Sequence, residues 1–221
     1  MNNLFDKKES WGKRKRKNQQ DKVLAEMVRL GYEKSPQIRK MLDDAGIHPA
    51  EVKSRDDLLS LPVTSREKLV EMEQQKPPFA GLENPDIPID RIFTSPGPVY
   101  EPHLSETDYL WARAFFAAGI GPKDIALNAF SYHLVAAGLT FHSGLRRVGA
   151  TVVPSGASAT QVQVQLIKDL KVTAYVGTPS FLMNIINKAK EMGFDFKKDF
   201  GVKKACFAAE PLPPDLRKSF E

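Results

Sequence analysis

From residue 125 onward the chain repeats a pattern that few folds can satisfy: a short apolar run, then a longer segment with helical spacing. The apolar runs cover residues 125–129, 150–153, 172–176 and 202–208, and the helical segments between them cover 134–148, 160–170 and 179–192. A strand apolar at consecutive positions must be buried on both faces, and a helix between two such strands supplies the long crossover that a parallel pair needs. The expected fold class is therefore α/β, a parallel sheet with helices on both faces.

The preceding residues have a different texture. Val23, Met27 and Leu30, with Leu24 and Val28 beside them, give helical spacing over 19–34, and Ser35-Pro36 stops it. A second helix over 37–45 closes at Gly46, a residue able to take the left-handed conformation. In Leu61-Pro62-Val63-Thr64-Ser65-Arg66-Glu67, Thr64 and Glu67 predict a capping box at the start of a third helix. Prolines then crowd at 77, 78, 85, 88, 96, 98 and 102, which predicts irregular backbone with short extended pieces such as 89–94. Ser105 and Asp108 read as the cap of a helix that runs through Trp111, Ala114 and Phe115 to Gly119. The resulting division is a basic, flexible leader over 1–18, a helical and irregular segment over 19–90, and an α/β core over 91–221. Residues 216–221 read as the start of an amphipathic helix that stops, so the core is expected to be cut short at its carboxyl end.

Lys and Arg total 32 against 27 Asp and Glu, and much of the excess of +5 sits in Lys13-Arg14-Lys15-Arg16-Lys17. That run has no interleaved aromatic platform and no accompanying nucleic-acid motif, so it reads as a solvated leader and no nucleic-acid partner is expected. The single cysteine, Cys206, lies in Ala205-Cys206-Phe207-Ala208-Ala209 and reads as a small buried thiol rather than a nucleophile. A polar amino terminus and the lack of a long apolar run predict a cytoplasmic protein with no membrane partner. Metal-ligand spacing, the G-x-S-x-G elbow and the Walker loop are all missing from the sequence, so no metal site is expected and no catalytic residue is assigned.

In a doubly wound sheet the carboxyl ends of the strands form the ligand crevice. The first loop there, Phe130-Ser131-Tyr132-His133, offers Tyr132 and His133 either as the lining of a substrate pocket or as a satisfied pair. The second, residues 154–160, could hold an anion with its amides or simply turn tightly. In the third, Thr178 or Ser180 caps a helix with Pro179 in its first turn. His142, alone on a helix, reads as a packing or hydrogen-bonding residue. Glu210, between a strand end and Pro211, is either presented at the crevice or caps the next helix.

The ordered set of these segments is more specific than any one of them. Leu61-Pro62-Val63-Thr64, Leu127-Asn128-Ala129-Phe130-Ser131-Tyr132, Gly138-Leu139 with His142, Arg147-Val148-Gly149-Ala150-Thr151-Val152-Val153-Pro154, Thr178-Pro179-Ser180 and Ala208-Ala209-Glu210-Pro211 together resemble the phenylacetate–CoA ligases of the adenylate-forming superfamily. The resemblance runs from about residue 19 to the end. It implies the amino-terminal domain of such an enzyme and a two-step reaction with ATP, Mg²⁺ and coenzyme A on a small carboxylic acid, aromatic by preference. A homodimer is left open. It places Tyr132 at the wall of the acyl pocket and Ala209, Glu210 and Pro211 against the nucleotide. The family's phosphate loop, rich in Ser, Thr and Gly and ending in Gly-Lys-Pro, corresponds here to Thr94-Ser95-Pro96-Gly97-Pro98-Val99-Tyr100-Glu101-Pro102, with Glu101 in place of the lysine. Ser95 and Gly97 remain as nucleotide contacts. The alternative implied by the altered loop is a non-catalytic homologue that binds a nucleotide or acyl-CoA. The family's hinge and lysine-bearing carboxyl-terminal domain would fall beyond Glu221, so this chain alone is expected to be inactive.

Overall fold

The structure, a computed structural model, describes residues 4–221, apart from the side chains of Asp108 and Tyr109. Contacts divide it into two compact units, residues 1–104 and 105–221.

The amino-terminal unit opens with a 3-10 turn, Lys7–Ser10, followed by α1 (Lys13–Lys34) and α2 (Pro36–Asp44). The basic run expected in the leader instead forms the first turns of α1, fully exposed. Lysine and arginine are good helix formers, but with no apolar residue among them they leave no periodicity to detect. Ser35 separates the two helices: its hydroxyl accepts from the Ile38 amide (3.2 Å) and donates to the Gly81 carbonyl (2.8 Å). Gly46, at φ 66°, closes α2, and the Ile47 amide returns to the Leu42 carbonyl.

Two 3-10 turns, Pro49–Glu51 and Arg55–Ser60, lead to α3 (Arg66–Gln75). Its cap lies one residue later than expected, because Ser65 rather than Thr64 accepts from the Lys68 amide, at 3.2 Å. The proline-rich stretch also departs from expectation. It contains an antiparallel hairpin, β1 (Arg91–Ser95) and β2 (Val99–His103), paired from Arg91↔His103 to Ser95↔Val99 around the turn Pro96-Gly97-Pro98. Both strands of a two-stranded sheet are edges, so Pro102 can sit in β2 without breaking a central ladder. Phe93 and Val99 share the buried face. Division after residue 90 would group this hairpin with the α/β core; contacts place it in the amino-terminal unit, with α3. The buried Glu73 of α3 accepts from the Tyr100 amide at 2.8 Å.

The carboxyl-terminal unit starts with a 3-10 segment (Ser105–Trp111) and α4 (Ala112–Ala117). The cap expected from Ser105 and Asp108 falls partly on side chains outside the described residues. Then follow β3 (Ile125–Asn128), α5 (Ala136–Arg147), β4 (Thr151–Val153), α6 (Thr160–Asp169), β5 (Ala174–Gly177), α7 (Pro179–Glu191), the short α8 (Phe196–Asp199), β6 (Lys204–Phe207) and α9 (Pro214–Phe220). The sheet order is β4-β3-β5-β6 and every pair is parallel. The chain steps from β3 one way to β4, then crosses back to β5 and β6. With right-handed crossovers, this reversal puts α5 on one face and α6 and α7 on the other, as the α/β reading requires.

Residues alternate accordingly. Leu127 and Tyr175 pack with Val164, Ile167, Leu182 and Ile185, while on α5 Phe141 meets Trp111, Phe115 and Phe130 edge-on at centroid distances of 4.5, 5.9 and 4.9 Å. At the opposite end of the sheet, buried Asp124 gathers three donors: the Gly121 amide, the Thr173 hydroxyl and the Lys204 ammonium, each at 2.8 Å. Among the described residues, no helix is long and apolar enough to cross a membrane.

Candidate active site

The reversal in strand order separates the loops that leave the carboxyl ends of β3 and β5, and in such sheets ligands bind at that point. The loop after β3 is held from beneath by Asn128, fully buried at the strand's end. Its Nδ2 donates to the Gly138 carbonyl of α5 (2.9 Å) and to the Tyr132 hydroxyl (2.8 Å), and its Oδ1 accepts from the Phe130 amide (3.3 Å). The Tyr132 hydroxyl also lies 3.2 Å from His142 Nδ1. Gly138 makes this approach possible, since a Cβ there would run into the Ser131 carbonyl. Burial raises the Tyr132 phenol above its ordinary value, against the Asn128 amide, and lowers the His142 imidazole, helped by Arg146 one turn away. Tyr132 is half-buried, whereas His133 beside it is exposed.

The loop after β4 has turned inward. Gly156, at φ 60°, donates its amide to the Asn128 carbonyl (3.0 Å), the Ser155 hydroxyl reaches the same carbonyl (3.2 Å), and the Ser158 hydroxyl donates to the Ser155 carbonyl (2.5 Å). Buried Gln163 of α6 donates to the Gly156 carbonyl at 2.8 Å. Of the two readings of this segment, its hydrogen bonding favours the tight turn over an anion cradle.

After β5, Thr178 caps α7 by accepting from the Phe181 amide (3.3 Å), with Pro179 at the first position. Glu210 reaches this same end: it accepts from the Ser180 hydroxyl (2.8 Å) and amide (3.2 Å). It therefore caps the helix before it rather than the one after it, and these bonds hold its carboxyl below the ordinary range. Ala209 takes φ 69° to deliver it, and Pro211 is exposed. Replacing Glu210 with alanine should speed amide exchange at Ser180 while leaving the α6 amides unchanged, which a hydrogen-exchange measurement resolves; equal exchange at Ser180 in both proteins would refute the cap.

Cys206 is half-buried and its thiol is raised by burial, in keeping with an inert sulfur.

Ser95 and Gly97 lie at the tip of the β1–β2 hairpin, in the amino-terminal unit. There the exposed guanidinium of Arg66 donates to the Ser95 hydroxyl (2.8 Å) and, from both Nε and Nη2, to the Pro96 carbonyl. The tip does not form a cradle of amides: Pro96 and Pro98 have none, and that of Tyr100 is taken by Glu73. Its cationic group is Arg66. Arg66 and Asn128 carry no site role in the sequence pattern. A polar residue closing an otherwise apolar strand was the available signal for Asn128; nothing local signalled Arg66. Among the described residues no three His, Cys, Asp or Glu side chains gather to hold a metal ion.

No protein-family model matches the chain. Among curated proteins, it is 32% identical over 203 residues to the phenylacetate-coenzyme A ligase of Aromatoleum evansii, and equally to that of Escherichia coli; in both cases the match takes in 88% of this chain and 45% of the relative. Over most of its length the chain is thus similar to phenylacetate–CoA ligases. It spans about half the length of the curated relatives it matches. The fold agrees: 2-hydroxyisobutyryl-CoA ligase, solved in an open conformation in complex with 2-HIB-AMP and CoA, superposes with a TM-score of 0.86 at 24% identity, over 93% of this chain and 47% of that one. A second structure of that ligase, in the thioesterification state, gives the same TM-score over 95% of this chain.

Proposed function

We propose that this phenylacetate–CoA ligase-like chain is the amino-terminal part of an ATP-dependent ligase for a small carboxylic acid, aromatic by preference. The acid's carboxylate would attack the α-phosphorus of ATP, releasing pyrophosphate, and the thiol of coenzyme A would then displace AMP from the acyl carbon. The observation that carries this reading is the similarity to phenylacetate ligases over 88% of the chain. The crevice supports it, because Tyr132 presents an aromatic wall at the switch point, where an acyl group would lie, with His133 exposed beside it. The segment Ala209-Glu210-Pro211 supplies the nucleotide side from the neighbouring loop. At the hairpin, Ser95, Gly97 and Arg66 are the groups that would meet phosphate oxygens, and Mg²⁺ would arrive with those phosphates. A cytoplasmic location fits such substrates.

The test is pyrophosphate release by the protein that contains this chain, supplied with Mg-ATP. Release should depend on added acid and be faster with phenylacetate than with acetate. No release across aromatic and short aliphatic acids would overturn the reading.

A second reading is favoured by one observation, the hairpin tip in which Pro96 and Pro98 on either side of Gly97 leave few amide donors. In that case the protein binds a nucleotide or acyl-CoA without turnover. Binding and turnover measured together separate the two: tight binding of ATP or acyl-CoA by the native protein without acid-dependent pyrophosphate release would support this alternative, and acid-dependent release would refute it.

A further inference from the structure

We infer that His142 is a positioning residue that locks the Tyr132 hydroxyl away from the acyl pocket, so that this wall meets the acid with its ring alone and disfavours hydroxylated acyl groups. The inference rests on Tyr132 lining that pocket, as proposed above.

The donors and acceptors fix the Asn128 end of this arrangement and favour one form of the other. A primary amide has two N–H bonds. The Gly138 carbonyl can only accept, and it lies 2.9 Å from Asn128 Nδ2; the Phe130 amide can only donate, and it lies 3.3 Å from Asn128 Oδ1. These two contacts fix which way the Asn128 amide faces. Its second N–H therefore points at Tyr132 Oη, 2.8 Å away, and that oxygen accepts. The phenolic proton must go elsewhere, and His142 Nδ1 stands 3.2 Å off. To accept it, Nδ1 must carry a lone pair, so the imidazole is neutral with its proton on Nε2. Burial, and then Arg146 on the same helix, disfavour the imidazolium.

The Tyr132 hydroxyl then has no proton left to donate to a ligand. An acid carrying a hydroxyl against this wall would give up its water without finding a donor, whereas a plain aryl or alkyl group would lose nothing. Removing His142 would free the phenolic proton to bind such a hydroxyl. An apolar pocket alone discriminates weakly against an added hydroxyl, so a gain of this kind should be visible.

Two measurements test the inference. In the chain itself, labelled with ¹⁵N-histidine at pH 7.5, His142 should show the Nε2–H tautomer, and Tyr132→Phe should remove that preference. An Nδ1–H tautomer or an imidazolium in the native chain would overturn the lock whether or not the protein is a ligase. In the protein that contains the chain, the ratio of kcat/KM for phenylacetate over 4-hydroxyphenylacetate should fall about tenfold in His142→Phe, with His142→Leu as a second variant should the first fail to fold. An unchanged ratio alongside the expected tautomer would overturn the role in selectivity. Absence of pyrophosphate release with either acid in the native protein would instead overturn the ligase reading and, with it, the selectivity, while the tautomer result stands on its own.

Discussion

Replacing Gly138 by alanine should destabilise the carboxyl-terminal unit by about 3 kcal/mol, the upper part of the range for overpacking a close-packed site. Elsewhere in a helix the same change helps by roughly 0.5–1 kcal/mol, because alanine restricts the unfolded chain and has the better helix propensity. Geometry reverses the sign here. A Cβ at 138 would meet the carbonyl carbon and oxygen of Ser131 and lie 2.9 Å from the Tyr132 Cα. All of these are backbone atoms, so no rotamer change can relieve the overlap. The loop after β3 would have to lift from α5, stretching the bond from Asn128 to the Gly138 carbonyl and the one from the Gly138 amide to the Ser131 carbonyl (3.1 Å). Gly12, where an added Cβ would have nothing within 4 Å, is the control. Urea unfolding followed by circular dichroism should show a lower midpoint for Gly138→Ala and little change for Gly12→Ala; a Gly138→Ala protein within 0.5 kcal/mol of the native one, judged against mutational scatter of that size, would show that the loop adapts freely.

Asp124→Asn should cost about 2 kcal/mol at neutral pH. Breaking a buried ion pair costs about 3–5 kcal/mol when the stranded charge stays dry. The Asp124 side chain is 7% exposed but that of Lys204 is 35% exposed, so the stranded ammonium can rehydrate, which points to a smaller loss. Lys204 also keeps the Gly119 carbonyl at 2.6 Å. The pH dependence has a definite sign. Burial pushes the Asp124 carboxyl up, but the Lys204 ammonium, the Gly121 amide and the Thr173 hydroxyl outweigh it, and its pKa lies below the ordinary value. A carboxyl depressed in the folded state contributes fully above its unfolded pKa, about 3.9, and the contribution disappears as pH falls through the folded value. The gap between native and Asp124→Asn unfolding midpoints should therefore be widest at pH 7 and narrow as pH falls below the unfolded value of about 3.9. A gap that widens on acidification would mean the carboxyl is not held this way.

The parts of this fold visible in the residues are those where burial forces a period. The central strands β3 and β5 were readable because they are covered on both faces, the edge strands β4 and β6 through their remaining apolar residues, and each helix between them because one stripe must face the sheet. The first turns of α1 escaped, since Lys13-Arg14-Lys15-Arg16-Lys17 helps a helix through propensity, which has no period. The hairpin escaped for a different reason: proline predicts the loss of a ladder bond, and in a two-stranded sheet such bonds are dispensable. At the site, Tyr132 and Glu210 stood out through their chemistry and their place at strand ends. Their partners did not, because the Glu210 to Ser180 bond spans thirty residues and the Tyr132 to His142 contact needs the turn between strand and helix to be known first. The displacement of the α3 cap from Thr64 to Ser65 is a case where two neighbouring hydroxyls satisfy the same rule and only the backbone chooses.

The sequence contains two tryptophans, and they fall on opposite sides of the division after Leu104. Trp11 lies beneath the Lys15 ammonium, 4.5 Å from its ring centroid, whereas Trp111 is wedged edge-on against Phe141. A cation over one indole and a phenyl edge on the other give the two emitters different surroundings, so the molecule carries a separate fluorescent gauge for each half. Replacing either tryptophan with phenylalanine would leave one gauge in place, and comparing the two melting profiles would report whether the halves come apart together or in sequence.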